Sequence, residues 1–143
     1  MQATEFFESL EDEADLQLRE DGSLRHLLTL KGLDKQLLVD LLDRATEFLT
    51  PAGAIPARAD ALAGRTVANL FFEPSTRTRA SFDLAGKRLG ADVLNLDVNT
   101  SSRKKGESIL DTIYTLQAMH VDIMVVRDAS AGVPAYITRH IND

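Results

Sequence analysis

The chain has 143 residues, 44% of them hydrophobic and 27% charged, which suffices for one domain with a buried core and falls short of two of ordinary size. It contains no cysteine, so disulfides, thiolate metal sites and cysteine nucleophiles are excluded, and no apolar run reaches the length of a membrane span. The net charge of −6 is concentrated at the start, where residues 1–21 hold eight acids and one base, Arg19, for −7, so the remainder sums to +1.

Residues 1–22 therefore read as an acidic leader, solvated and mobile rather than packed, with contact to a partner chain as the alternative. An acidic start is the reverse of a basic signal peptide, so the expected setting is cytoplasmic. No broad basic face or aromatic–basic interleaving is present, which argues against nucleic acid as a partner. Residues 23–143 read as the domain itself. Within "SLRHLLTLKGLDKQLLVDLLDRATEFLT", Leu37, Leu38, Leu41, Leu42, Ala45, Phe48 and Leu49 recur at helical spacing behind Asp34 as N-cap, and predict a helix facing the core. Pro51, Gly53 and Pro56 end it and open a loop.

From residue 65 short apolar runs alternate with amphipathic segments. "RTVANLFF" predicts a buried strand, and about Thr76 to Leu89 a helix with Phe82, Ala85 and Leu89 on one face. "ADVLNLDV" is the second strand and "ESILDTIYTLQAM" the second helix, with Ile109, Ile113 and Leu116 inward and His120 at its C-terminal end. "VDIMVVR" is the third strand, and "VPAYITRHI" a third helix with Pro134 in its first turn. This order implies an α/β fold, an open parallel β-sheet with helices on both faces. Ligands of such sheets bind beyond the carboxyl ends of the strands, here the junctions "EPSTRTR", "NTSSRKKGES" and "RDASAG".

The first junction has the chemistry of a phosphate site. With Ser75 as N-cap, the amides of Thr76, Arg77 and Thr78 lack intrahelical partners; hydroxyls and an arginine fork add donors. Its plain alternative is an ordinary capped helix whose arginines face water or pair with Glu73 and Asp83. The second junction, Thr100 to Gly106, is either an anion-contacting loop or a solvated basic one, and it is not a Walker A loop. Arg127, ending an apolar strand, is either a strand-end surface residue or a third anion contact. His26, His120 and His140 show no metal-ligand spacing, and no paired carboxylates suggest hydrolysis.

"FFEPSTRTRASFDLAGKRLGADVLNLD", "TSSRKKGESILDTIYTL" and "VDIMVVR" together resemble the carbamoyl-phosphate-binding half of aspartate carbamoyltransferase catalytic chains. The similarity runs from about Ser23 to Arg127 or slightly beyond. The S-T-R-T-R motif is specific to carbamoyltransferases, and "KKGES" favours the aspartate enzyme over ornithine carbamoyltransferase, the alternative within the family. A non-catalytic assembly module of the same fold is the alternative from another class.

The resemblance implies that Ser75, Thr76, Arg77 and Thr78 hold the phosphate of carbamoyl phosphate. Thr78 and Arg127 would contact its carbonyl oxygen, and Ser101 and Lys105 would reach the site of a neighbouring subunit in a homotrimer. Regulatory or dihydroorotase-like chains could join such a trimer in a larger complex. It implies direct attack by the α-amino group of L-aspartate, with no cofactor and no metal. The family's His-Pro-Thr-Gln segment and aspartate-binding domain are not within these 143 residues, and "RDASAGVPAYITRHIND" departs from the family pattern after Arg127. The expectation is a carbamoyl-phosphate half unable to turn over alone.

Overall fold

The computed structural model describes residues 15–97 and 108–141. Its helices and strands are α1 (Lys35–Thr46), β1 (Thr66–Phe71), α2 (Thr76–Arg88), β2 (Asp92–Asp97), α3 (Ile109–Ala118), β3 (Ile123–Arg127) and α4 (Val133–Thr138). The strand–helix alternation expected from residue 65 is present element for element. Of the acidic leader only residues 15–22 are described. There Gln17 is fully buried, and its side-chain oxygen accepts the amides of Leu28 (2.6 Å) and Thr29 (2.8 Å).

The three strands form a parallel sheet in the order β2-β1-β3. The middle strand is more deeply buried than β3, and Ala68, Leu70 and Phe71 on it are almost wholly buried. Side chains alternate across a strand, so β1 serves two layers. Ala68 and Leu70, with Phe72 just beyond, pack against Ile113 and Leu116 of α3 and Ile137 of α4. Val67, on the other face, lies against α2 at Gly86. Helices therefore cover both faces.

Gly86 explains how closely α2 approaches. A Cβ there would stand 2.8 Å from Val93 Cγ2, so alanine would require the Val93 side chain or the helix to shift. The helices leading into β2 and β3 end alike. After α2, the Ala91 amide donates to the Gly86 carbonyl (3.0 Å) and the Gly90 amide to the Lys87 carbonyl (3.3 Å), with Gly90 at φ 84°. After α3, the Val121 amide donates to the Leu116 carbonyl (3.1 Å) and the His120 amide to the Gln117 carbonyl (2.9 Å), with His120 at φ 59°. Both are Schellman turns, which satisfy terminal carbonyls and redirect the chain into the next strand. His120 takes the C-terminal role expected of it.

Two apolar helix stripes do not face the core, which corrects the core-facing reading of α1. No residue of α1 is buried, and Leu42, Phe48 and Leu49 on or just beyond it are 68%, 59% and 76% exposed. Helical periodicity identifies an apolar stripe but not whether anything lies against it, and the described residues leave most of this stripe uncovered. In α2 the inward residues are not Phe82 and Ala85, both of which are exposed, while Leu89 is half-buried. Gly86 is the buried residue of this helix, and Asp83 is half-buried one turn before it. Close contact at Gly86 and a polar bond from Asp83 to the sheet set this rotation against the hydrophobic preference of Phe82.

Candidate anion-binding site at the carboxyl end of the sheet

Strands β1 and β3 end side by side, with Phe71 opposite Arg127, and the Phe72 amide donates to the Arg127 carbonyl (2.8 Å). From β1 the chain leaves over one face of the sheet toward β2, and from β2 over the other face toward β3. The strand order therefore reverses between β1 and β3, the kind of crevice where open α/β sheets take ligands. The segment Glu73-Pro74-Ser75 crosses this crevice and delivers the start of α2.

Ser75 occupies the N-cap position, as its sequence suggests, but its side chain makes no capping bond. The first amide satisfied within the helix is that of Arg79, which donates to the Ser75 carbonyl (3.1 Å). The amides of Thr76, Arg77 and Thr78 thus belong to the orphan set that every helix start presents. Thr76 and Arg77 are exposed, and Ser75 and Thr78 half-buried. Arg127 reaches across from β3, and its Nη1 donates to Thr78 Oγ1 at 3.3 Å. The same guanidinium donates through Nε to Glu73 Oε1 in an ion pair. Its side chain is 46% exposed, so the fork faces both the helix start and solvent.

The structure therefore brings Thr78 to Arg127, with Ser75, Thr76 and Arg77 beside Thr78 at the start of α2. Ser101 and Lys105 lie outside the described residues, as does the rest of the expected loop from Thr100 to Gly106. The two carboxylates near the first junction have partners beyond its arginines. Glu73 pairs with Arg127, while Asp83 accepts from Lys87 Nζ (2.9 Å) and Asn95 Nδ2 (2.8 Å). Those two bonds, the Lys87 one foremost, hold the Asp83 carboxyl below the usual aspartate range. Arg79 sits in α2 half-buried and partnered, distinct from the exposed Arg77.

Glu73 is the residue whose role sequence reasoning missed. In the sequence it stood only as a possible partner of the motif's own arginines, whereas its partner Arg127 lies 54 positions downstream. Two concavities lie away from this crevice, one of about 330 Å³ bordered by Ile55, Arg58 and Leu84, the other along α1. Among the described residues no three His, Asp or Glu side chains gather as metal ligands, and no helix is long and apolar enough to cross a membrane.

Residues 25–141 match the family model described as aspartate/ornithine carbamoyltransferase, carbamoyl-P binding domain. The chain belongs to the aspartate/ornithine carbamoyltransferase family. Among solved structures, this carbamoyltransferase domain is similar to the catalytic subunit of M. jannaschii aspartate transcarbamoylase, with 37% identity and a TM-score of 0.69. That match covers 82% of this chain and 38% of the other. It is also similar to aspartate transcarbamoylase from Trypanosoma cruzi in complex with aspartate and phosphate, at 35% identity and a TM-score of 0.52. There 72% of this chain and 31% of the other are covered. The same T. cruzi enzyme in complex with carbamoyl phosphate and aspartate matches with 35% identity and a TM-score of 0.52, over 72% and 30% of the two chains. The carbamoyltransferase domain thus spans less than half the length of these relatives.

Proposed function

We propose that this domain binds carbamoyl phosphate between the start of α2 and the end of β3, and serves its transfer to the α-amino group of L-aspartate. The observation that carries the reading is the meeting of Thr78 and Arg127, from two different strand ends, at the crevice where the sheet order reverses. The phosphate would take the orphan amides and hydroxyls of Ser75, Thr76 and Thr78 together with the Arg77 guanidinium. Thr78 and Arg127 would donate to the carbamoyl oxygen. The choice of aspartate over ornithine as acceptor is supported by the aspartate transcarbamoylases that the chain resembles at 35–37% identity. Carbamoylation of ornithine by the protein carrying this domain would reverse that choice.

In this reading the amine nitrogen forms a bond to the carbamoyl carbon, giving a tetrahedral intermediate. The carbon–oxygen bond to phosphate then breaks, with its electron pair and the amine's proton leaving on phosphate. Donors fixed before reaction stabilise charge on the carbonyl oxygen and on the departing phosphate, and removing one such donor costs about 3–4 kcal/mol of transition-state stabilisation. Residues Ser101 and Lys105 would be contributed by a neighbouring subunit of a homotrimer, and the aspartate-binding groups by a further domain. The test is calorimetric titration of the chain with inorganic phosphate and with carbamoyl phosphate. Arg77→Ala is expected to weaken both by at least about tenfold, the effect of a lost charge-assisted contact. Equal affinity in the variant would remove Arg77 and the α2 start from the site.

A further inference from the structure

The central strand carries one polar residue among apolar ones. Asn69 is fully buried between Ala68 and Leu70, and its side-chain oxygen has no partner. Its Nδ2 donates to Oδ1 of Asn95 (2.9 Å), its register partner on β2. Asn95 Nδ2 donates in turn to Asp83 Oδ1 on α2 (2.8 Å), and Asp83 also accepts from Lys87. Burying an amide with an unpartnered oxygen is unfavourable, and an apolar residue would pack at this position without that penalty. The ladder instead joins the sheet to one particular side of the helix.

That side is not the one hydrophobicity would select. Phe82 is 43% exposed and Leu84 48% exposed, while Asp83 faces the sheet. Adjacent helical residues differ by about 100° in direction, so turning α2 to bury Phe82 would swing its other side chains by the same angle. At a helix radius of about 5 Å that angle moves a side chain by roughly 8 Å, far outside hydrogen-bond reach. Thr78 Oγ1, now 3.3 Å from Arg127 Nη1, would leave the crevice.

We propose that the Asn69–Asn95–Asp83 ladder positions the anion site, by fixing the rotation of α2 at which Thr78 meets Arg127 in the β1–β3 crevice. This rests on the phosphate reading given above. Asn69, Asn95 and Asp83 touch no ligand and act as positioning residues. They give the helix a single rotation, which its amphipathic pattern alone does not specify.

The chain has no tryptophan, so Phe82→Trp supplies a single fluorescent reporter of that rotation. In this background Asn69→Leu is expected to shift the indole emission to the blue as position 82 turns inward. Its melting temperature should hold or rise, because a buried polar group is replaced by an apolar one. Phosphate affinity should fall on the order of tenfold to a hundredfold, as when supporting contacts of a preorganised site are removed. Asp83→Ala should reproduce both changes without altering the interior of the sheet, and Asp83→Asn, which keeps an acceptor for Asn95, should restore most of the affinity. Unchanged emission in both Asn69→Leu and Asp83→Ala would overturn the proposal, as would a shifted emission with unchanged phosphate affinity. A parent protein that takes no phosphate would instead sink the functional reading, and the emission would still decide whether the ladder sets the rotation.

Discussion

Arg127 and Glu73 show how one side chain governs another in the candidate site. Pairing with Glu73 neutralises the Arg127 guanidinium and holds it beside Thr78, and under the proposed function the carbamoyl oxygen would compete with that carboxylate. Both groups are partly exposed, which keeps the pair weak enough to be exchanged. Under the proposed function Glu73→Gln should therefore tighten carbamoyl-phosphate binding by about 2–5-fold, the worth of an exposed ion pair, as read by titration calorimetry. Weaker binding would mean that orientation by Glu73 matters more than competition. His120 is a second case in which a single residue decides. It holds a left-handed conformation that an L side chain resists, at the same turn position that Gly90 fills after α2. His120→Gly should raise unfolding free energy by about 0.5–1 kcal/mol. Gly90→Ala should lower it by about 1–2 kcal/mol, since its Cβ would also stand 3.3 Å from the Ala59 carbonyl oxygen. Urea unfolding compares the two directly.

At the scale of the element, the helices differ in what their sequences reveal. In α3 the apolar positions expected to face inward do so, with Ile113 and Leu116 buried against β1, and the helix opens on a reciprocal cap between Ser108 and Asp111. In α1 a longer run of leucines faces outward over the described residues. The contrast is measurable. Ile113→Ala should cost about 2–5 kcal/mol, the range for emptying a packed core site, whereas Leu42→Ala should stay within about 0.5 kcal/mol. Comparable losses at the two positions would mean that α1 is covered in solution. For α2 the amphipathic pattern selected the wrong face, because "ASFDLAGKRLG" offers Phe82 as the obvious anchor while the sheet beneath presents Asn69 and Asn95. The signal was available as an asparagine in the middle of each of two apolar runs, "TVANLFF" and "DVLNLD". It becomes informative only once β1 and β2 are known to pair with those residues in register.

Over the whole molecule, acid sensitivity follows from carboxylates that accept hydrogen bonds. Asp122 accepts the Thr66 amide and the Arg65 guanidinium, joining the starts of β1 and β3, and these bonds, the backbone one foremost, lower its pKa from 3.8. Asp111 and Asp21 are lowered chiefly by bonds from Ser108 and Ser23, and Asp83 by Lys87 and Asn95. A folded-state pKa below the unfolded one adds stability that is fully present above the unfolded value and disappears as pH falls through the folded one. Stability should therefore be flat above about pH 5 and decline below about pH 4, and Asp122→Asn should differ from the parent less at about pH 3 than at about pH 7. Unfolding curves at those pH values make the comparison. A gap that widens with acid would place the working proton elsewhere.

What the chain determined by itself was the order of its elements, the parallel sheet, and the carboxyl-end junctions where Ser75 to Thr78 and Arg127 gather. Those are consequences of local periodicity, turn residues and crossover rules, which act over a few residues at a time. Only the tertiary structure decided the rotation of α2, the outward face of α1, and the pairing of Arg127 with both Glu73 and Thr78. Each depends on groups brought together from distant positions, 54 and 49 residues apart for the two Arg127 bonds. A hydrophobic pattern states which side chains avoid water, not which neighbour will meet them. The opposite corners of the candidate site become neighbours only when β3 takes its place beside β1.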